Sequence, residues 1–200
     1  MELLKSETLK NLARAYVGES CARNRYDMMA FLAKKDELTC LSKMIKEVAT
    51  NEFHHARMLF SFIDSADTKH TIDNITVSAG YPFKQKIGTL EENLRLAVED
   101  EQNEAHKIYP EFAQVAKKEG FNDIANLFLN LVQVETCHSK LFQILYDQMK
   151  NGTMYKLPNL VKWKCKDCGY EETLKEAWQK CPICMAPQGH VMLHINDGAK

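Results

Sequence analysis

Two Glu-x-x-His motifs in this chain each follow a lone glutamate at almost the same interval, 33 residues in the first case and 34 in the second. Positions i and i+3 lie on one face of an α-helix, so each motif can present a carboxylate and an imidazole to one metal ion. Two such helices, with one glutamate from each of two further helices, supply six ligands inside a four-helix bundle. The six residues are Glu19, Glu52, His55, Glu101, Glu135 and His138.

The apolar residues up to residue 150 recur with helical spacing in four segments, and the motif residues fall on the apolar stripes. Ser6 is predicted to cap the first helix, the capping box Thr89-x-x-Glu92 the third, and Asn122 the fourth. Pro110 lies inside the third helical pattern and is expected to kink that helix.

Short polar turns near residues 34–36 and 118–122 predict two antiparallel helical hairpins. Between the hairpins, residues 66–88 have weak periodicity, and a connection this long fits the single crossover of a ferritin-like bundle. The sequence therefore predicts a mainly α fold, with a ferritin-like four-helix bundle over residues 1–150.

Glutamates on apolar helical stripes are costly to bury as unpaired ions. The alternative without a metal is that these glutamates form ion pairs with Arg23, Arg57 or Lys140, or face solvent. Two motifs of one type at matching intervals favour the metal site instead, and carboxylate with imidazole suits iron or manganese. Glu104 lies one turn after Glu101 and is not one of the six predicted ligands. It is a candidate seventh ligand that could exchange.

The last part of the chain carries two Cys-x-x-Cys pairs, which predict a four-thiolate metal site. Residues 161–200 form too short a domain to fold by burial alone, and residues 151–160 are predicted to be an extended linker. Iron and zinc both accept tetrahedral thiolates, so a structural zinc ribbon is the alternative. The cysteines are Cys165, Cys168, Cys181 and Cys184.

The net charge of −1 gives no indication of binding to nucleic acid or to an anionic membrane surface. No apolar run approaches the roughly 18 residues of a membrane span, and the N-terminus does not have the build of a signal peptide. We therefore expect a cytoplasmic protein, in which paired cysteines serve metals or redox chemistry.

Together these motifs resemble the rubrerythrin family over nearly the whole chain. The similarity lies in the order of the two domains, in both motif sets and in the extra glutamate. The segments that carry it are Gly18–Ser20, Ala22–Tyr26, Glu52–Arg57, Glu101–Glu104, Tyr109–Phe112, Glu135–His138 and Trp163–Cys184.

The resemblance implies a non-haem di-iron site in the bundle and a small C-terminal rubredoxin-like domain, residues 161–200, that holds a single iron on the four cysteines. It implies reduction of hydrogen peroxide to water in oxidative stress defence, with electrons relayed through the tail iron from an NAD(P)H-dependent reductase. It further implies that Glu104 and His55 alternate as ligands of one iron, that Tyr26 and Tyr109 form hydrogen bonds near the site, and that the protein is a head-to-tail homodimer.

Two features depart from the patterns of similar proteins. Met185 follows Cys184, where free-standing rubredoxins usually have glycine, and Asp100 stands where a glycine usually precedes the first ligand of the third helix. Two competing functions stay open from the sequence. One is an iron-oxidising or iron-storing ferritin-like protein, and the other is a structural scaffold with a zinc-binding tail.

Overall fold

Long helices account for most of the described residues up to residue 150, which confirms the predicted mainly α fold. A computed structural model of the protein describes residues 2–69, 72–78 and 89–195. The third helical pattern is divided by a short π-helical segment. The elements are α1 (Glu7–Lys35), α2 (Thr39–Ala66), α3 (Leu90–Asn103), the π-helical segment (Glu104–Ile108), α4 (Tyr109–Glu119) and α5 (Asn122–Lys150).

Two of the three predicted helix caps are confirmed. The Ser6 side chain accepts a hydrogen bond of 3.1 Å from the Leu9 amide, and Thr89 accepts one of 3.3 Å from the Glu92 amide. The prediction for α5 is wrong by one position: its cap is the residue before Asn122, and no side chain there bonds to the helix.

The predicted kink is a change of helix type, and it lies before Pro110. The backbone passes through the π-helical segment, and Pro110 then stands in the first turn of α4. Proline fits there because its missing amide hydrogen has no partner at a helix start. Single π-helical turns are frequent at functional sites, and this one begins at Glu104.

The helices pack as two hairpins, α1 along α2, and α5 along both α3 and α4. The first hairpin turns at residues 36–38, and the second turns at Gly120, whose φ of 91° is a left-handed conformation that favours glycine. The crossover between the hairpins connects Ala66 to Leu90, and residues 70–71 and 79–88 of it lie outside the described residues.

Two apolar clusters fill the bundle. One contains Tyr26, Leu41 and Phe142, and the other contains Leu12 and Phe128. On each helix that carries predicted metal ligands, the ligands lie between residues of one cluster and residues of the other. A layer of carboxylates and imidazoles thus sits at mid-bundle, where apolar packing excludes water on both sides.

The tail forms a two-stranded antiparallel sheet, β1 (Lys156–Lys164) and β2 (Glu171–Glu176). Its small apolar core contains Trp163 with Ala177 and Val191, and the Trp163 indole donates a hydrogen bond of 3.2 Å to the Leu174 carbonyl. Strand β1 begins inside the segment predicted as an extended linker.

The tail packs against the α1–α2 turn of its own bundle. A Cβ atom added to Gly189 would lie 1.7 Å from the Glu37 carbonyl oxygen, so only glycine permits this approach. The His190 ring contacts Thr39 at 2.9 Å (Nε2 to Oγ1). Glu52 lies 13 residues beyond Thr39 on α2, or about 20 Å at 1.5 Å per residue. The tail therefore contacts the end of the bundle, far from the carboxylate layer.

Within the described ranges, no helix is both long enough and apolar enough to cross a membrane.

Candidate metal centres

Helical geometry brings the six predicted ligands together at mid-bundle. Helices α1 and α3 each contribute one glutamate, and α2 and α5 each contribute a Glu-x-x-His pair whose i, i+3 spacing puts both side chains on the core face. The four glutamates are at most 1% exposed. Such burial of acidic side chains is unusual without a compensating cation.

Two carboxylates are shared between two groups of ligand atoms. Glu52 places Oε2 2.8 Å from Nδ1 of His55 and Oε1 3.2 Å from Nδ1 of His138. Glu135 places Oε1 3.3 Å from Nδ1 of His55 and Oε2 2.8 Å from Nδ1 of His138. Each group has its ligand atoms within 4.8 Å of one another, and the groups are Glu19, Glu52, His55, Glu135 and Glu52, Glu101, Glu135, His138.

This arrangement fits two metal ions joined by bridging carboxylates. The inward-facing oxygens of the glutamates and Nδ1 of both histidines are buried and face one another, but in the described parts of the chain none of these contacts has the geometry of a hydrogen bond. Unpartnered buried carboxylates cost several kcal/mol each in a metal-free protein. A pair of divalent cations would compensate them, and the donor set of carboxylate and imidazole suits iron.

The electrostatics of the metal-free site support the same conclusion. Burial raises the pKa of Glu101 to about 8 and moves that of Glu19 well above its usual range. Burial opposes ionisation of Glu52 as well, but His138 and His55 hold the pKa of that carboxyl at about 2. The site therefore retains protons when empty of metal, and metal binding would release them.

Two buried tyrosines hold the outer oxygens of two glutamates. The Tyr26 hydroxyl donates to Oε1 of Glu101, and the Tyr109 hydroxyl donates to Oε1 of Glu19. Burial raises the pKa of both phenols well above the ordinary value, so both remain neutral donors. Each bond leaves Oε2 of its glutamate directed at the site, which fixes the ligand's orientation.

Glu104 lies apart from both groups of ligand atoms. Its Oε1 faces α1 at Gly18, 3.8 Å from the position that a Cβ on that residue would take. His55 instead has Nδ1 within 3.4 Å of Oε2 of Glu19. The structure thus has His55 with the ligand atoms and Glu104 outside them. Burial raises the pKa of Glu104 well above its usual range.

Two contacts at the site join residues that no sequence motif links. The Asn51 side-chain amide lies 3.3 Å from Nε2 of His138, the nitrogen that faces away from the glutamates. Asp100, which the sequence marked only as a departure, forms an ion pair with Arg25. Neither partner could be found from motif spacing, because both contacts join residues on different helices.

The second centre is the cysteine cluster of the tail. The sulfur atoms of Cys165 and Cys184 are 3.7 Å apart, and those of Cys168 and Cys181 are 3.6 Å apart. All four lie within 4.8 Å of one another and all are free thiols. Four converging cysteine sulfurs supply a tetrahedral thiolate site.

The two thiols of each Cys-x-x-Cys pair differ in exposure. Cys165 and Cys181 are buried, whereas Cys168 and Cys184 are exposed. Burial opposes ionisation of Cys181, but the backbone amides of Cys184 and Ile183 lower the pKa of that thiol to about 7. Backbone amides directed at the sulfur stabilise the thiolate form that binds metal.

Two family models match this chain. The model of the rubrerythrin family matches residues 10–146, and the model described as the rubredoxin-like domain of rubrerythrin matches residues 163–190. A rubrerythrin of Porphyromonas gingivalis is 35% identical over 92% of this chain and 88% of its own length. A rubrerythrin of Nitratidesulfovibrio vulgaris is 34% identical over 98% of this chain and 100% of its own length.

Solved structures show the same fold at lower identity. A mixed-valence state of nigerythrin matches with a TM-score of 0.62 and 22% identity, over 94% of this chain and 86% of that one. A bacterioferritin of Desulfovibrio desulfuricans matches with a TM-score of 0.61 and 19% identity, over 74% of this chain and 82% of that one.

Proposed function

Because the chain belongs to the rubrerythrin family, we propose that it reduces hydrogen peroxide to water at an iron pair in the bundle, with electrons relayed through an iron in the tail. The observation that carries the proposal is one chain with two kinds of metal centre. Two ligand groups share Glu52 and Glu135, and a four-cysteine cluster follows them. A paired site suits a two-electron reaction, and a single tetrathiolate iron suits one-electron delivery.

We propose that the bundle residues hold the irons as the ligand atoms are grouped. Glu19 and His55 would hold one iron, Glu101 and His138 the other, and the two shared carboxylates would bridge them. When bound and reduced, the iron pair supplies the two electrons that convert one hydrogen peroxide molecule, with two protons, into two water molecules.

The chain's own residues keep the site dry, oriented and supplied with protons. Tyr26 and Tyr109 hold two carboxylates in place from behind. The His55 side chain is 13% exposed and Glu104 is only half-buried, so peroxide can approach along this edge of the site. Burial raises the pKa of Glu104 in the metal-free site, and we propose that its carboxyl, next to that approach, serves as the proton donor.

This assignment predicts a selective effect of Glu104→Ala. The bundle should retain two irons, since Glu104 lies outside both ligand groups, while peroxide turnover should fall roughly 100-fold or more, the contribution of a positioned proton donor. Iron content and steady-state peroxide consumption check this. Glu111→Ala, at an exposed position of α4, is the control and should behave as the unmodified protein. Loss of the bundle irons from the Glu104 variant would make Glu104 a structural ligand instead.

We propose that residues 1–150 act as the reaction unit and residues 161–200 as the electron-transfer unit, joined by residues 151–160. The two family matches, residues 10–146 and 163–190, support this division. An NAD(P)H-dependent reductase of rubredoxin type, or another electron donor, is the proposed source of electrons, and it would deliver them one at a time to the tetrathiolate iron.

We further propose a head-to-tail homodimer in which the tail of one subunit serves the bundle of the other. The tail packs on the end of its own bundle, about 20 Å along α2 from Glu52. Large apolar side chains are exposed at the two surfaces that a second copy would join. They are Tyr16, Phe53 and Phe60 beside the bundle site, and Ile183 and Met185 beside the exposed cysteines.

Mixed dimers test this arrangement. A Cys165→Ser chain has an intact bundle and a Glu52→Ala chain has an intact tail, so neither homodimer should sustain NAD(P)H-linked peroxide reduction. After subunit exchange, heterodimers should regain activity, since one complete pair of centres forms across the interface. If mass spectrometry verifies exchange and activity stays at the level of the separate variants, the relay does not cross between subunits.

An iron-oxidising or iron-storing protein is the second candidate, favoured by the fold shared with bacterioferritin. The four-cysteine tail weighs against it, because storage of iron needs no one-electron relay. Aerobic addition of excess ferrous iron separates the two functions: storage would yield a soluble mineral core, whereas the peroxide reductase should bind iron only to the capacity of its sites.

A further inference from the structure

Two contacts join α1 to α3 side by side at the edge of the bundle site. Tyr26 and Glu101 form the inner one, through the phenolic hydroxyl and Oε1. The residues directly before them in each helix, Arg25 and Asp100, form the outer one, an ion pair between the guanidinium and Oδ2. Because the two contacts lie at neighbouring backbone positions of both helices, a change in the separation of the backbones at one contact alters it at the other.

The outer pair also contacts the inner one. The Arg25 guanidinium lies 5.4 Å from the centre of the Tyr26 ring, within range of a cation–π interaction. The Arg25 side chain is 12% exposed and that of Asp100 is 21% exposed, so both charged groups are largely withdrawn from solvent. Ion pairs at this depth depend on both partners, because removal of one leaves the other partly buried and unpaired.

Few side chains determine how far α1 lies from α3. Helix α1 packs along α2 over most of its length and touches α3 over a much smaller surface. The separation of α1 from α3 at the level of the site therefore depends on few side chains. A small change in it would lengthen the bond between Tyr26 and Glu101, because hydrogen bonds weaken steeply with distance and angle.

We propose that Arg25 and Asp100 are a positioning pair, which holds the Tyr26 hydroxyl on Glu101 and thereby fixes how that carboxylate faces the metal. The inference rests on the proposed iron site. It assigns a role to Asp100, which stands where a glycine is usual in similar proteins. Asp100 is in neither group of ligand atoms, and we infer that its effect on metal binding passes through the contact between Tyr26 and Glu101.

A metal-free measurement tests the first step. In the full chain with ¹³C-labelled tyrosine rings, the seven phenolic ζ-carbon signals are recorded by NMR, and Tyr26→Phe identifies the Tyr26 signal by its disappearance. Asp100→Asn should move this signal toward that of a tyrosine without a strong acceptor, and Asp100→Glu should restore much of it. Glu99→Gln, on the residue before Asp100, removes the charge that pairs with Arg95 and should leave the Tyr26 signal in place.

Ferrous iron binding to the bundle tests the second step. Tyr26→Phe should weaken it by roughly tenfold, the usual cost of losing a partner that orients a metal ligand. Asp100→Asn should weaken it several-fold, and the double variant should equal Tyr26→Phe alone. Additive losses, or an unmoved Tyr26 signal in Asp100→Asn, would overturn the proposal. If the unmodified bundle bound no iron, the proposed function would fail while the NMR result still decided the positioning role.

Discussion

Replacement of Glu52 by alanine should abolish peroxide reduction and leave the visible absorption of the tail iron unchanged. Glu52 faces both histidines, one through each carboxylate oxygen, so its loss removes a ligand from both metal positions at once. Loss of a partner that only orients a ligand costs about 10-fold to 100-fold in affinity or activity, and loss of a shared ligand should exceed that range.

The measurement is steady-state peroxide consumption, with iron content and melting temperature determined on the same samples. The unmodified protein should melt at a higher temperature with iron than without it, because bound metal compensates the buried carboxylates. The Glu52→Ala variant should lose most of that difference. Glu47→Ala, an exposed position on the same helix, is the matched control. Unchanged turnover in Glu52→Ala would show that the bundle site does not reduce peroxide.

Replacement of Cys165 by serine should have the second largest effect, on electron delivery to the bundle site and not on that site itself. NAD(P)H-linked turnover should fall to background, because the tail loses both its iron and much of its fold. The apolar core of the tail is small, with Trp163, Ala177 and Val191 as its buried members, so the metal supplies a large share of its stability. The reduced bundle should still react once with peroxide.

Cys137→Ser is the matched control, because Cys137 is exposed on α5 and lies outside the cysteine cluster. The visible absorption of both variants and of the unmodified protein identifies the tail metal. Iron in the unmodified tail should give a coloured protein that dithionite bleaches. A colourless protein with stoichiometric zinc after growth in iron-rich medium would favour the scaffold alternative.

The sequence predicted the ligand positions and helix caps that depend on helical periodicity and on local motifs. The i, i+3 spacing of each Glu-x-x-His pair requires no knowledge of tertiary structure, and the matching intervals to Glu19 and Glu101 place four helices around one site. The caps at Ser6 and Thr89 are equally local, and both are confirmed.

The sequence could not predict features that depend on contacts between distant elements. The π-helical segment at Glu104 is one, because helical periodicity around Pro110 indicates an irregularity but not its type. The ion pair of Arg25 and Asp100 joins residues 75 positions apart. The packing of Gly189 on the α1–α2 turn depends on a backbone approach that no motif records.

Anaerobic titration of the fully reduced protein with hydrogen peroxide tests the central claim most directly. We predict that one equivalent of peroxide per chain oxidises the bundle irons, that a further half equivalent accounts for the single electron of each tail iron, and that no dioxygen is released. In the Cys165→Ser variant the first phase should persist without the second. Release of dioxygen, or bundle irons that stay ferrous while peroxide persists, would contradict the assignment of this chain as a peroxide reductase.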